Sequence, residues 1–198
     1  MKIDLHVHCM ERSICGKSSE EEQIAAAIDS GLDAIVFTDH DRLMPEKRLQ
    51  ELNHKYAPFR IFGGIEVSLE GEHMIVLGVN EPRLETLGWV NSELHQFVHE
   101  KGGFMAIAHP FRYGDTINID LKAFPPDAIE AVSNNTPESE KEKICKIAAD
   151  LGIPILCNSD SHESSTIGKY YNIFQHVPED EAELIHMLRD GEFRCGVS

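Results

Sequence analysis

The chain is predicted to be an α/β protein whose strands form a barrel-like, mostly parallel sheet. Three observations lead there: short apolar runs alternate with amphipathic helical patterns, several runs are apolar almost without interruption, and most end in a histidine or a carboxylate. Strand and helix in alternation produce parallel sheets, and near-continuous apolar character belongs to strands covered by neighbouring layers. Ligand-type side chains at strand C-termini gather at one end of such a sheet, where α/β barrels build their sites. An open nucleotide-binding sheet is disfavoured because its glycine-rich first turn is missing.

The first strand is IDLHV (3–7). SSEEEQIAAAIDSG follows as a helix, with Ser18 and Ser19 as caps, Glu20, Glu21 and Glu22 in a first turn where carboxylates favour the helix dipole, and Gly31 as the stop. DAIVF (33–37) is the second strand, and apolar spacing of three and four makes PEKRLQELNHKY a helix. RIFGGI (60–65) and MIVLGV (74–79) are strands separated only by a short EGEH turn, which predicts a hairpin and a local departure from alternation. LETLGWVNSELHQFVHEKGG is the next helix, before the strand FMAIA (104–108) and the longest loop, YGDTINIDLKAFPPD (113–127). AIEAV (128–132) and IPILC (153–157) are strands on either side of the helix PESEKEKICKIAADLG. A last amphipathic helix, EDEAELIHMLRDG, ends at Gly191.

A chain of 198 residues with 41% hydrophobic content can bury a sizeable core, and no linker or low-complexity stretch divides it, so residues 1–198 are expected to form one catalytic domain. Neither a run of 18 apolar residues nor a signal peptide is present, which predicts a soluble, cytoplasmic protein without a membrane partner. Five cysteines, an odd number without a CxxC pair, argue against a disulfide framework. The net charge of −16 disfavours long nucleic acid as a partner. Bound divalent ions would offset that charge locally and draw in a small phosphate. Oligomerisation is left open.

Ligand-type residues recur in six segments: His6 and His8 in DLHVH, Asp39 and His40 in FTDHD, Glu66 in GGIEVS, His73 in GEHMIVLG, His109 in AIAHPFR, and Asp160 and His162 in NSDSH. Side chains alternate along a strand, so His6 and His8 share a face and can hold one ion, while Val7 enters the opposite layer. Histidine and carboxylate without a dominant cysteine set suit Zn, Mn or Fe, and a carboxylate such as Glu66 can bridge two ions. A multinuclear centre follows. Asp39 alternates away from His40 and is expected to orient a ligand histidine through its free ring nitrogen. His54, His95, His99, His176 and His186 lie on polar patterns and read as surface residues.

In their order and spacing, DLHVH, GLDAIVFTDHD, GIEVS, EHMIVLG, AHPFR and NSDSH resemble the polymerase and histidinol phosphatase (PHP) family across essentially the whole chain. The resemblance implies a distorted (β/α)7 barrel that hydrolyses phosphoesters with two or three divalent metal ions. Carried over by residue, it implies that His6, His8, Glu66 and Asp160 hold one metal, Glu66, His73 and His109 a second, and His40 and His162 a third. The family commonly adds an Asp or His ligand to the third metal shortly after the His-X-His pair. Here that stretch is CMERSICGKSS, where Glu11 or Cys15 could substitute.

A hydroxide held between metals bridged by Glu66 would then attack phosphorus in line, with no nucleophilic side chain required. Arg112, three residues past His109, is placed to fork onto a phosphate oxygen. Leaving-group protonation falls to a metal-bound water or to His162. Short loops predict an open site, with Tyr113 positioned to stack on a ring. The expected reaction is hydrolysis of small phosphomonoesters such as a sugar, histidinol or nucleotide phosphate. The alternatives are a phosphodiesterase acting on short oligonucleotide ends and a non-catalytic, metal-bound regulatory domain. Hydrolysis of C–N bonds in similar barrels usually needs a bridging carboxylated lysine, and no strand here ends in one.

Overall fold

The computed structural model describes residues 1–198. Nine strands form one sheet in the order β7-β6-β5-β4-β3-β2-β1-β8-β9. These are β1 Lys2–Val7, β2 Ala34–Phe37, β3 Arg60–Leu69, β4 Glu72–Leu77, β5 Phe104–Ile107, β6 Ala128–Val132, β7 Ile155–Cys157, β8 Tyr170–Phe174 and β9 Phe193–Val197. Five helices accompany them: α1 Glu20–Asp29, α2 Glu46–Tyr56, α3 Asn91–Glu100, α4 Lys141–Leu151 and α5 Glu181–Arg189. The sheet is parallel at β1-β2-β3 and at β5-β6-β7, and antiparallel around β4. The predicted hairpin between RIFGGI and MIVLGV is therefore present, as β3 and β4. Nothing in the apolar periodicity announced β8 and β9, an antiparallel pair joined to β1.

Alternation along the strands sorts residues into layers. Ile35 and Phe37 of β2 pack outward against Ile24 and Ala27 of α1 and Leu52 of α2. Ala34 and Val36 turn the other way, joining Ile3, Leu5, Ile75, Leu77, Phe104 and Leu156, and Leu184, Ile185 and Leu188 of α5 cap this cluster. Helix α1 starts with a complete capping box, in which Ser19 Oγ accepts from Glu22 N and the Glu22 carboxylate accepts from Ser19 N.

One irregularity decides what stands above the apolar layer. The β1–β2 register slips between Asp4 and Val7. A slip of this kind resets which face a side chain takes. Ile3 and Leu5 therefore belong to the inner cluster, and His6 and His8 still project inward above them, while Val7 packs in the outer layer. On β3, Gly64 precedes Glu66 on the inner face, where a Cβ would come within 2.6 Å of Leu77 Cδ2 and 3.0 Å of the Val76 carbonyl.

The sheet nearly closes on itself, with side chains doing much of the joining between β7 and the paired strands β8 and β1. Asn172 Oδ1 accepts from Cys157 N (3.1 Å), and its Nδ2 donates to Cys157 O (2.9 Å) and Asn158 Oδ1 (2.8 Å). Asn158 Oδ1 in turn accepts from Leu5 N, and Asp4 Oδ1 accepts from Ser159 N. A parallel bridge links Val7 to Ser161, and His8 N donates to Ser161 O at 2.8 Å. A disulfide between Cys157 and Cys195 adds a covalent tie from β7 to β9. This corrects the expectation from the odd cysteine count: two of the five are paired, while Cys9, Cys15 and Cys145 remain free. The partners sit on the two edge strands of the sheet, a proximity that exists only once the barrel curls.

Replacing Asn172 by Ala should leave the buried Cys157 amide and carbonyl without partners, at about 1–3 kcal/mol for each group. Urea denaturation is expected to show a loss of at least about 2 kcal/mol for Asn172→Ala on this basis.

Candidate metal centre

All eight residues singled out as ligands converge at one end of the barrel. Most arrive from the C-terminal side of a parallel strand, but His73 is the second residue of the antiparallel β4 and reaches the same end from its strand's start. The expectation that ligands follow strand C-termini is corrected there. Glu66 sits within the ten-residue β3, and a bridge between His40 and Glu66 extends the β2–β3 pairing to bring the two side by side.

Four side chains define the tightest cluster. His6 Nε2 lies 3.2 Å from Glu66 Oε2 and 3.4 Å from Asp160 Oδ1, while His8 Nε2 lies 3.1 Å and 3.2 Å from the same two oxygens. The two imidazole nitrogens are 3.0 Å apart. Ligand atoms about 2.0–2.1 Å from a tetrahedral ion are separated from one another by roughly 3.3–3.4 Å, so these separations match a cage around one cation. Glu66 Oε2 and Asp160 Oδ1 are buried without hydrogen-bond partners. Buried carboxylate oxygens left this way cost free energy unless a cation completes them.

The other oxygen of Glu66, Oε1, faces His73 Nδ1 (2.8 Å) and His109 Nε2 (2.9 Å). One carboxylate thus presents its two oxygens to two different groups of nitrogens, the geometry a bridging ligand needs. His40 Nδ1 also lies 3.0 Å from Glu66 Oε2. His8, His40 and His162 offer three ring nitrogens within 4.8 Å of one another. Of the two residues considered as an added ligand there, Glu11 accepts from Glu20 N at the start of α1, and Cys15 is an exposed residue of the adjoining loop.

Supporting hydrogen bonds fix which nitrogen of each ring faces inward. His6 Nδ1 donates to Glu130 Oε1 at 3.0 Å, so Nε2 is the nitrogen that faces the centre. Glu130 Oε1 also accepts from Asn158 Nδ2 and its Oε2 from His109 N, so this one buried carboxylate anchors three segments. His8 Nδ1 lies 3.3 Å from Ser13 Oγ, which donates to Asp39 Oδ1 at 2.7 Å. Asp39 therefore acts on His8 through a serine, a correction to the expected direct contact with a ring nitrogen. Its other oxygen accepts from Arg12 Nε at 2.7 Å. Glu130 is the functional residue that sequence reasoning missed; its one signal was a glutamate inside the apolar run AIEAV.

Electrostatics and backbone agree with a cation site. Burial opposes charge on Glu66, but His6, His109 and His73 outweigh it and hold the carboxyl well below its usual range. Asp160 is likewise lowered, burial being outweighed by His6 and His8. Burial works against protonating His8, yet Asp160 and Glu66 lift its pKa to about 9, and His6 is raised by Asp160, Glu130 and Glu66. Burial pushes His40 down to about 4 and also lowers His162. His109 and Asp160 adopt left-handed φ values of 28° and 49°. For residues with a Cβ that backbone costs roughly 1–2 kcal/mol each, and it aims both side chains inward.

Arg112 stands at the edge, with Nη1 3.3 Å from Asp160 Oδ2 and its side chain 26% exposed. The guanidinium lies 5.3 Å from the centre of the Tyr113 ring, which also edges against His73 and His109. The remaining histidines lie outside the centre; His176 and His186 pair with Glu183 and Asp190 on the surface.

A barrel mouth of histidines and carboxylates shaped for divalent cations defines the class: a metal-dependent hydrolase. Residues 4–110 match the PHP domain, and residues 138–193 match a PHP-associated region. The chain belongs to the PHP domain family, as its motifs suggested, and is a metal-dependent phosphoesterase at the level that family defines. Among solved structures it resembles PsfC from Pseudomonas syringae PB-5123, with a TM-score of 0.76 and 18% identity over 100% of this chain and 91% of that one. A protein assigned as a metal-dependent phosphoesterase from Bifidobacterium adolescentis gives 0.71 at 14% identity, covering 94% and 96%. The lesion-specific endonuclease EndoQ from Pyrococcus furiosus gives 0.67 at 18%, covering 98% of this chain and 57% of that chain. At such identities the likeness establishes the fold, and no curated protein matches the chain. No helix is long and apolar enough to cross a membrane.

Glu130→Gln should weaken metal binding roughly 10- to 100-fold, the usual cost of losing a carboxylate behind a ligand histidine, as read by competition with a chromogenic chelator. Metal uptake should also release protons. With His8 titrating at about 9 and His6 raised, both are protonated in the metal-free protein at neutral pH. Affinity should therefore fall as pH drops below about 9, by roughly tenfold per pH unit for each proton displaced. Calorimetry in buffers of different ionisation enthalpy counts those protons.

Proposed function

We propose that the protein hydrolyses small phosphomonoesters at a centre of at least two divalent ions, with His6, His8, Glu66 and Asp160 holding one and Glu66, His73 and His109 the other. The observation that carries this reading is the split contact of Glu66, Oε2 toward His6 and His8 and Oε1 toward His73 and His109. Divalent ions so held would supply an activated water and neutralise charge on the phosphoryl oxygens.

The chain's own residues do the rest. Arg112 keeps most of its donors free and takes a phosphate oxygen in a charge-assisted contact, replacing its single long bond to Asp160. His162 donates through Nδ1 to the Asp160 carbonyl at 3.1 Å, leaving Nε2 unprotonated. With its pKa lowered, that nitrogen takes a proton from the attacking water and returns it to the leaving oxygen, or serves with His40 as ligands to a third ion. The buried Glu130 and Asp39 hold His6 and His8 throughout. A net charge of −16 supports small substrates over long polyanions. The likeness to an endonuclease supports a second reading, hydrolysis at a short oligonucleotide end.

The test is a screen of the metal-loaded protein on phosphomonoesters beside short oligonucleotides, with metal content measured on the same sample. Phosphate release from monoesters is expected to dominate, with at least two ions per chain; faster cleavage of oligonucleotides would select the second reading. Glu66→Gln should lower turnover by orders of magnitude with the fold intact. Arg112→Ala should lower kcat/KM by roughly one to three powers of ten at unchanged metal content. Arg112→Lys should restore little, since a point charge does not reproduce the forked contact.

A further inference from the structure

We propose that the cleft on the His40 and His73 side of the metal centre is a leaving-group subsite, and that Ile14 and Leu87 make it select phosphoesters with a ring-bearing, apolar leaving group. This rests on the phosphoesterase reading and specifies its substrate class.

The cleft encloses about 750 Å³ and is bounded by His40, His73, Ile14, Cys15, Arg42 and Leu87 among others. That volume lies in the range of sites that take small molecules, about 300–1,000 Å³. The apolar cavity beneath the 113–127 loop is smaller, about 460 Å³, and none of the eight clustered ligand residues lines it. Ile14 is fully exposed and Leu87 is 75% exposed. Single exposed aliphatic residues are ordinary on any surface. These two come from distant segments and line one concavity that also holds two histidines of the centre, an arrangement that marks a binding surface.

Both rims are fastened. Around Ile14, Ser13 N donates to Cys9 O, Gly16 N to Ser13 O, and Lys17 N to His162 O at 2.7 Å. Beside Leu87, Thr86 N donates to Arg83 O, and Glu85 Oε1 accepts from Leu43 N at 2.9 Å. The backbone beside each apolar residue is thus held, and a ring entering between Ile14 and Leu87 removes their surface from water. Arg112 contacts Asp160 and does not line this cleft, so a phosphate gripped there leaves the cleft free for the group it esterifies. Arg42, 60% exposed and 3.8 Å from Glu85, leaves donors at the outer rim for a ring heteroatom or hydroxyl.

Calorimetry on the metal-loaded protein with phenylphosphonate and methylphosphonate tests this without turnover. The parent is expected to bind the phenyl compound at least about tenfold more tightly, a ratio set by buried apolar area. Ile14→Asp and Leu87→Asp should each reduce that ratio, and the double variant should erase it. The ratio of kcat/KM for phenyl phosphate over methyl phosphate should move in parallel. Equal affinity for the two phosphonates in the parent, or a ratio retained in the double variant, overturns the subsite. An intact phosphonate preference without turnover of any monoester overturns the phosphomonoester reading and leaves the apolar subsite standing. If the aspartate variants lose metal or fold, Ile14→Ser and Leu87→Ser carry the same comparison.

Discussion

A carboxylate with no access to water needs positive charge beside it, and Glu66 at the inner face of β3 imposes that need on everything around it. Together with Asp160 it places two acidic groups in a space closed by imidazoles, and apart from those histidine rings no protein donor reaches Glu66 Oε2 or Asp160 Oδ1. Protons on His6 and His8 are what the polypeptide alone can offer. Divalent cations answer the same demand with more charge and with the separations the four nearest ligand atoms already have. The arrangement at the barrel mouth is thus an electrostatic debt built into the fold.

Surrounding features keep the ligand atoms from relaxing. Glu130 fixes His6 and the backbone of His109, and Asp39 fixes His8 through Ser13 while Arg12 balances its charge. The left-handed backbone at His109 and Asp160 is affordable because neighbouring hydrogen bonds overdetermine it. Below, the layer of Ile3, Leu5, Val36, Leu77 and Phe104 excludes water and keeps the local dielectric low. Contacts between charged groups are stronger there than at the surface. Apolar packing and metal affinity are in this sense one property.

Much of this was legible in the sequence because strand periodicity and ligand chemistry coincide. The His-X-His pair at the end of β1 is the clearest case, since alternation puts His6 and His8 on one side and Val7 on the other, although the register slip that turns the rings inward left no trace in the sequence. Five helices and seven strands followed from apolar spacing and caps, with the start of α3 drawn too early because the apolar pattern ran through the loop before Asn91. Strands β8 and β9 were not legible: YYNIF and FRCGV are short and mixed in polarity, and their stability comes from pairing with β1 and with each other. The disulfide was hidden with them. Glu130 and the route from Asp39 through Ser13 were hidden for another reason, since hydrogen bonds between segments distant in sequence leave no periodic trace.

The join between the first strand and the region after residue 157 has a temporal consequence. Leu5 N is held by Asn158, 153 positions away, and the amino group of Met1 donates to Phe174 O, 173 positions away. His6 and His8 therefore have no fixed positions until nearly the whole length is available, because β1 lacks one neighbour on each side until β2 and then β8 arrive. Contacts of such long range slow the search for the native state, since the entropy of closing large loops comes before the contacts that reward it. Until then the histidines and carboxylates that will meet at the barrel mouth are spread along a flexible chain. The complete set of ligand atoms therefore exists only in the closed barrel, and before closure an ion would meet scattered side chains with little power to choose among metals.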